Sequence, residues 1–277
     1  MTRDPRAGAS PSAEPCYDAR VDADSQTTAS NRVEARQRLG VRPDPRQFIL
    51  ANTRVTPVRS IHEVRLHTAH EATGLWRLAE LNNDGSEPPP PYWAFPWAGG
   101  MALARHILDR PETVAGRRVL DLGAGSGLVA IAAMKAGASA ALAAEIDRYG
   151  VAAIELNSGA NDVAVTVIGR DIIGEPPPAV DLVAVGDLFY EQNLATRVTA
   201  YLDRCLAAGI DVLIGDPWRA YLPHGRVRLI AEYSVPDVGE VEDAAVKPAA
   251  VFELEPLTAP DQSRRESGSV DPALPTA

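Results

Sequence analysis

The chain has 277 residues, 45% of them hydrophobic, 23% charged and only 5% aromatic. That length allows one or two domains with a sizeable core, and a net charge of −10 argues against a general binder of nucleic-acid backbone, which needs a basic footprint. The charge is uneven: residues 31–70 carry eight Arg against three acids, and residues 231–277 carry ten acids against three bases. A basic arm facing an acidic partner and a solvated arginine-rich surface both fit that pattern. The two cysteines, Cys16 and Cys205, form no C-x-x-C and imply neither a disulfide framework nor a zinc site. No stretch approaches 18 apolar residues and the N-terminus lacks an apolar signal core, so the expectation is a cytoplasmic protein without a membrane partner.

Residues 1–30 are rich in Ala, Pro, Ser, Asp and Arg without periodicity and read as a disordered tail. Residues 31–90 read as an N-terminal lid or subdomain. It has a weak helix at 32–39 and a strand-like run at 47–54 (Phe48, Ile49, Leu50). An alternating strand follows at 60–66 (Ile61, Val64, Leu66), then a helix at 73–81 and a Pro-rich connector. The main domain, 91–255, opens with clustered aromatics, Tyr92, Trp93, Phe95 and Trp97, which either staple the next helix or wall a ligand pocket. That helix runs from Gly100 to a stop at Pro111.

The organising stretch comes next. The apolar run 118–122 predicts a buried parallel strand. It stops at Asp121-Leu122-Gly123-Ala124-Gly125-Ser126-Gly127, and helical spacing resumes at Leu128, Ile131, Ala132 and Met134. A glycine turn between strand and helix lets backbone approach a nucleotide-like ligand and presents free N–H groups to it. A dinucleotide fingerprint needs Gly at position 128, which is Leu128. Asp121 would repel a pyrophosphate but suits a ligand carrying an ammonium group, as S-adenosylmethionine does. A NAD or FAD site and a turn with no ligand remain the alternatives.

A second strand at 140–146 ends in Glu145, about twenty residues past the first glycine, where an acid can accept both ribose hydroxyls. Asp147 competes for that role or caps the helix at 148–157. A third strand (163–168) ends at Asp171, either an adenine contact or a loop acid. A fourth (181–185) runs into Gly186-Asp187-Leu188-Phe189-Tyr190-Glu191 before a helix at 192–207. A fifth (211–214) leads into Gly215-Asp216-Pro217-Trp218-Arg219. Strands at 227–235 and 249–254 close the domain, and residues 256–277 read as a second disordered tail. The fold class is therefore α/β: a Rossmann-like, seven-stranded, mostly parallel sheet with an antiparallel edge and helices on both faces. Asp121, Glu145, Asp171 and Asp187 all fall at strand carboxyl ends, where such sheets bind ligands.

These residues resemble the seven-β-strand S-adenosylmethionine-dependent methyltransferases. The segment Asp187-Leu188-Phe189-Tyr190 narrows the resemblance to the lysine methyltransferases with an acid-x-x-aromatic motif after strand four. The chain is most similar to the electron transfer flavoprotein beta-subunit lysine methyltransferases, through Phe48-Ile49-Leu50-Ala51-Asn52-Thr53, Glu63-Val64-Arg65-Leu66-His67, Trp93-Ala94-Phe95-Pro96-Trp97-Ala98-Gly99-Gly100 and the Asp187 segment. Ala98 stands where that group carries Pro, and Glu191 where Asp is common. The resemblance implies a protein-lysine N-methyltransferase using S-adenosyl-L-methionine on the electron transfer flavoprotein beta subunit. Trp97, Asp121, Gly123, Gly125, Gly127, Glu145 and Asp171 would bind the cofactor; Asp187 would orient the incoming lysine and Tyr190 wall its channel. For Asp187 a helix N-cap is the competing role. A methyltransferase of a ribosomal protein or small amine, and a non-catalytic S-adenosylmethionine-binding module, are the alternatives. The sequence leaves the oligomeric state open.

Overall fold

The computed structural model describes residues 44–69, 91–236 and 246–257, all within the compact unit Asp44–Ala277. The predicted tail 1–30, the helices at 32–39 and 73–81, most of the Pro-rich connector and nearly all of the tail 256–277 lie outside the described residues.

The first described element differs from expectation. Residues read as a strand form helix α1 (Pro45–Asn52). Asp44 caps it by accepting from the Arg46 N–H, and Pro45 fills a first-turn position where no N–H is needed. Of the Phe48-Ile49-Leu50 run, only Ile49 is buried. The antiparallel hairpin β1 (Thr53–Val58) and β2 (Ile61–Ala69) follows. Asn157 and Asn161, one turn apart, pin its edge: Asn157 accepts from the His67 N–H, and Asn161 exchanges both amide bonds with Arg65.

The main sheet runs β5-β4-β3-β6-β7-β9-β8. Strands β3 (Arg118–Leu122), β4 (Ala140–Ala144), β5 (Thr166–Ile168), β6 (Leu182–Gly186) and β7 (Asp211–Asp216) are parallel. β8 (Val227–Pro236) and β9 (Val246–Leu254) form the antiparallel edge, with β9 inserted between β7 and β8. β5 is shorter than predicted because the Val163 N–H turns back to the Ser158 carbonyl.

Alternation divides the core. Val119, Leu182, Ala184, Leu213 and Val251 face α2 (Ala98–Asp109) and α3 (Leu128–Lys135), and the hairpin joins that cluster. Leu120, Leu122, Val183, Val185, Val212, Ile214 and Phe252 face α5 (Gln192–Ala207). Helix α4 (Arg148–Ala160) packs Ile154 onto Ala141 and Ala143 of β4 beside Ala130 of α3. The N-terminus of α2 sits unusually close to the sheet. A Cβ at Gly99 would lie 2.1 Å from the Gly215 carbonyl oxygen, and a Cβ at Gly186 would lie 3.0 Å from the Gly100 Cα. Glycine on both sides of this contact brings a helix N-terminus against the carboxyl ends of β6 and β7. Among the described residues no helix is long and apolar enough to cross a membrane.

Candidate active site

A cleft of about 560 Å³ opens at the carboxyl ends of the parallel strands, within the ordinary size of a small-molecule site. One wall is the glycine turn after β3, represented by Gly123 and Gly125, with Glu145, Ile146 and Asp147 after β4. Asp187, Leu188 and Tyr190 after β6 line the same cleft, with Tyr92, Trp93, Trp97 and Arg219; Leu188 lies against Gly123 and Trp93 beside Gly125. Asp171 and Arg197 close one side.

Glu145 is fixed from three directions. Its Oε2 accepts from the Gly125 N–H at 2.8 Å, and its Oε1 accepts from the N–H groups of Ile146 and Asp147 at 2.7 and 2.8 Å. A carboxylate offers about four lone-pair sites, so accepting both ribose hydroxyls requires Glu145 to share or release one of these bonds. Burial pushes its carboxyl upward. Asp147 also lines the cleft and caps α4, its Oδ1 accepting from the Tyr149 N–H, which is the capping role foreseen for it.

Asp121 departs from expectation. Leu120 and Leu122 face α5, so strand alternation turns Asp121 to the opposite face, where it is only 2% exposed and is not among the cleft-lining residues. Its Oδ2 accepts from the Ala130 N–H in the first turn of α3. Gly127, the α3 N-cap at φ 79°, has no side chain to do this. Asp121 is therefore a buried cap for α3 rather than a contact for a ligand's ammonium group, and Gly127 likewise lies behind the cleft lining, against Ile154. Burial raises the Asp121 carboxyl to about 7. A folded-state pKa above the unfolded value means stability is fully present below about pH 4 and is lost as pH rises through about 7. Wild type is therefore expected to lose stability relative to Asp121→Asn between pH 5 and pH 8, by roughly 1.4 kcal/mol for each pH unit over which the carboxyl is ionised in the unfolded chain and protonated in the folded one. Chemical denaturation at the two pH values checks this; a difference independent of pH would mean the carboxyl titrates normally.

Asp171 lies on the cleft but is engaged: Oδ1 accepts from the Ile173 N–H and Oδ2 pairs with Arg197 at 2.5 Å. Those bonds, the backbone one first, lower its carboxyl. The aromatic cluster lines the cleft with Tyr92, Trp93 and Trp97, and it packs on α4 rather than on the next helix, α2. Trp93 is buried and stacks on Tyr149, while Trp97 donates from Nε1 to the Tyr92 carbonyl and meets Tyr92 edge-on at 5.6 Å.

Asp187 occupies a left-handed backbone position, φ 62°, and does not cap the helix that follows it. Glu191 caps α5, accepting from the N–H groups of Asn193 and Leu194. Asp187 instead caps α2 from another strand end, its Oδ2 accepting from the Gly100 N–H at 2.7 Å. Its Oδ1 pairs with Arg219 Nη1 at 2.6 Å. Tyr190 is half-exposed at the cleft mouth, its ring 5.9 Å from Tyr92, and burial pushes its hydroxyl upward.

Sequence reasoning gave no role to Asp216 or Arg219, and to Tyr92 only a share in the aromatic cluster. Asp216 carried the signal that found the other acids, a carboxylate closing an apolar strand. It is fully buried at the end of β7 and binds both the backbone N–H and the guanidinium of Arg219, at 2.6 and 3.2 Å.

The family model described as "Ribosomal protein L11 methyltransferase (PrmA)" matches residues 102–183, a span that contains the glycine turn and Glu145 but stops before Asp187. A ribosomal protein L11 methylase structure from Lactobacillus delbrueckii subsp. bulgaricus aligns at TM-score 0.41 and 21% identity over 55% of this chain and 77% of its own, too distant to bear on substrate. Similarity to curated proteins is far more extensive. The electron transfer flavoprotein beta subunit lysine methyltransferase of Danio rerio is 36% identical over 77% of this chain and 84% of its own length. The Xenopus laevis protein of that name is 38% identical over 76% and 87%, and the Homo sapiens protein 34% over 77% and 83%. At that identity and coverage, with the glycine turn, Glu145, Asp187 and Tyr190 gathered on one cleft, the chain belongs to the electron transfer flavoprotein beta subunit lysine methyltransferase family.

Proposed function

We propose that this enzyme transfers a methyl group from S-adenosylmethionine to a lysine of the electron transfer flavoprotein beta subunit. The observation that carries the reading is one cleft lined jointly by a glycine turn, an anchored Glu145, Asp187, Tyr92 and Tyr190. The L11-type family match ends at residue 183 and supports no choice of acceptor beyond it.

Gly123, Gly125 and Glu145 would hold the nucleoside half of the cofactor, with Trp97 beside it and Asp171 at the edge. When bound, the cofactor would supply an electrophilic methyl carbon for the amine lone pair, the electron pair of its C–S bond being left on sulfur. The chain must first receive a neutral amine, although free lysine has a pKa near 10.4. Tyr92 and Tyr190 desolvate the approaching side chain, which favours the neutral form. Asp187 orients the nitrogen and the water that accepts its proton.

The direct test is transfer of labelled methyl from S-adenosylmethionine to purified electron transfer flavoprotein beta subunit, with the lysine located by mass spectrometry. Label on free amines or a ribosomal protein, with none on this substrate, would overturn the reading. Calorimetry is expected to show binding of S-adenosylmethionine and not of NAD. Glu145→Ala should weaken that binding by about 10- to 100-fold, one charged hydrogen bond being worth roughly 1.5–3 kcal/mol. Unchanged affinity in Glu145→Ala with loss in Asp147→Ala would exchange their roles.

A further inference from the structure

The cleft already holds a cation against Asp187. Arg219 Nη1 bridges Asp187 Oδ1 and Asp216 Oδ2, with side chains only 24%, 11% and 0% exposed respectively. The bridge is built in. Trp218 takes a left-handed backbone position, its ring edge-on to Phe252 at 4.7 Å and stacked on His224, and His224 Nε2 lies 3.1 Å from the Arg219 carbonyl. The Arg219 N–H is meanwhile tied to the fully buried Asp216. Arg219 lines the cleft with Asp187 and Tyr190.

A methyl acceptor that arrives as an ammonium group meets a conflict at such a carboxylate. An unpaired Asp187 would bind the ammonium well, but a nearby negative charge raises an amine's pKa and so reduces the reactive neutral fraction. We infer that Arg219 is a positioning residue for the methyl acceptor: by neutralising Asp187 it leaves a carboxylate that aligns the amine through hydrogen bonding without stabilising its protonated form. This rests on the lysine reading above. Asp187 has the capacity, since Gly100 and Arg219 occupy two of about four lone-pair sites. An arginine stays charged throughout the working range, so the neutralisation does not vary with pH.

Other charged or titratable groups face this corner from several elements, His224 among them through the Arg219 carbonyl. Asp216 comes from the end of β7 and is already bound to Arg219. Tyr190 and Glu191 come from the segment before α5; burial keeps the first protonated, and the second accepts from two backbone N–H groups. Tyr92 comes from the aromatic turn, and Glu145, after β4, is held by three backbone N–H groups.

The experiment is the pH dependence of lysine methylation by Arg219→Gln, Arg219→Lys and Arg219→Gln/Asp216→Asn, each first checked for cofactor affinity and melting. The double variant covers the case in which Arg219→Gln fails to fold because Asp216 is left buried and unpaired. In whichever glutamine variant folds, KM for the protein substrate should fall or hold. kcat near pH 7 should drop about tenfold and the midpoint of the rate profile rise by about one pH unit, since a pKa higher by one leaves a tenth as much neutral amine. Arg219→Lys should return the midpoint to the wild-type position. A profile scaled down at every pH without displacement, or an Arg219→Lys midpoint displaced as far as the glutamine variant's, overturns the inference. Failure of the wild-type enzyme to methylate any lysine is a separate outcome, which overturns the lysine reading.

Discussion

Asp187→Asn is expected to cut methyl transfer on the order of 10²-fold, the scale of lost positioning, while cofactor affinity stays within a few fold. The asparagine keeps an oxygen for the Gly100 N–H, so the α2 N-terminus stays seated. What it loses is the anionic partner of Arg219, whose guanidinium is then balanced only by Asp216 and faces the incoming amine. Glu145 and Gly125 belong to other strand ends and bond to each other rather than to Asp187, so the substitution removes none of their hydrogen bonds. Tyr190 gives a graded companion. Tyr190→Phe keeps the ring that packs against Tyr92, and Tyr190→Ala removes it and admits water, so the alanine variant should be the slower. The measurement is single-turnover methylation beside cofactor titration. Normal turnover in Asp187→Asn would reduce this carboxylate to a cap for α2 and remove the main mechanistic support for the lysine reading.

The parts legible in the sequence were those that local pattern determines. Strand β3, its glycine turn and α3 follow from a change of apolar period around three glycines, and Glu145 from its distance past them. Position along a strand was legible; the face was not. Asp121 and Glu145 both close apolar strands, but runs buried on both faces hide which side a residue occupies, and alternation places Asp121 under α3. Helix α1 was misread because the apolar run Phe48-Ile49-Leu50 outweighed the capping signal Asp44-Pro45. The partners of Asp187 lie 87 and 32 residues away, at Gly100 and Arg219. The first depends on how closely a helix approaches the sheet, and the second on a left-handed turn at Trp218, a residue type that rarely takes one. Neither is carried by spacing. The insertion of β9 between β7 and β8 likewise depends on pairing that no local pattern specifies.

That close helix approach makes Gly99→Ala the most damaging small substitution expected here. Its Cβ would sit 2.1 Å from the Gly215 carbonyl oxygen, 2.6 Å from the carbonyl carbon and 2.9 Å from Asp187 Oδ2. The first two are backbone atoms of a strand paired on both sides, to β6 and β9, so they cannot yield as a flexible side chain would. Gly215 has the reciprocal contact, 2.1 Å to the Gly99 carbonyl oxygen, and closes off that direction too. Relief requires α2 to move outward, opening the packing of Met101, Leu103 and Ile107 in the core. Overpacking of this kind costs about 3 kcal/mol or more, which for a domain of this size lowers Tm by roughly 6–12 °C. Gly159→Ala is the matched control. That glycine lies in α4 with φ outside the left-handed region and nothing within 4 Å of its would-be Cβ, so the change should be neutral or stabilise by up to about 1 kcal/mol. Thermal denaturation of the two variants measures the contrast. The same outward motion carries the Gly100 N–H away from Asp187 Oδ2. Whatever Gly99→Ala protein remains folded should therefore bind cofactor better than it methylates. A variant that melts with the wild type and turns over normally would mean that the helix and the sheet are not held at this distance in solution.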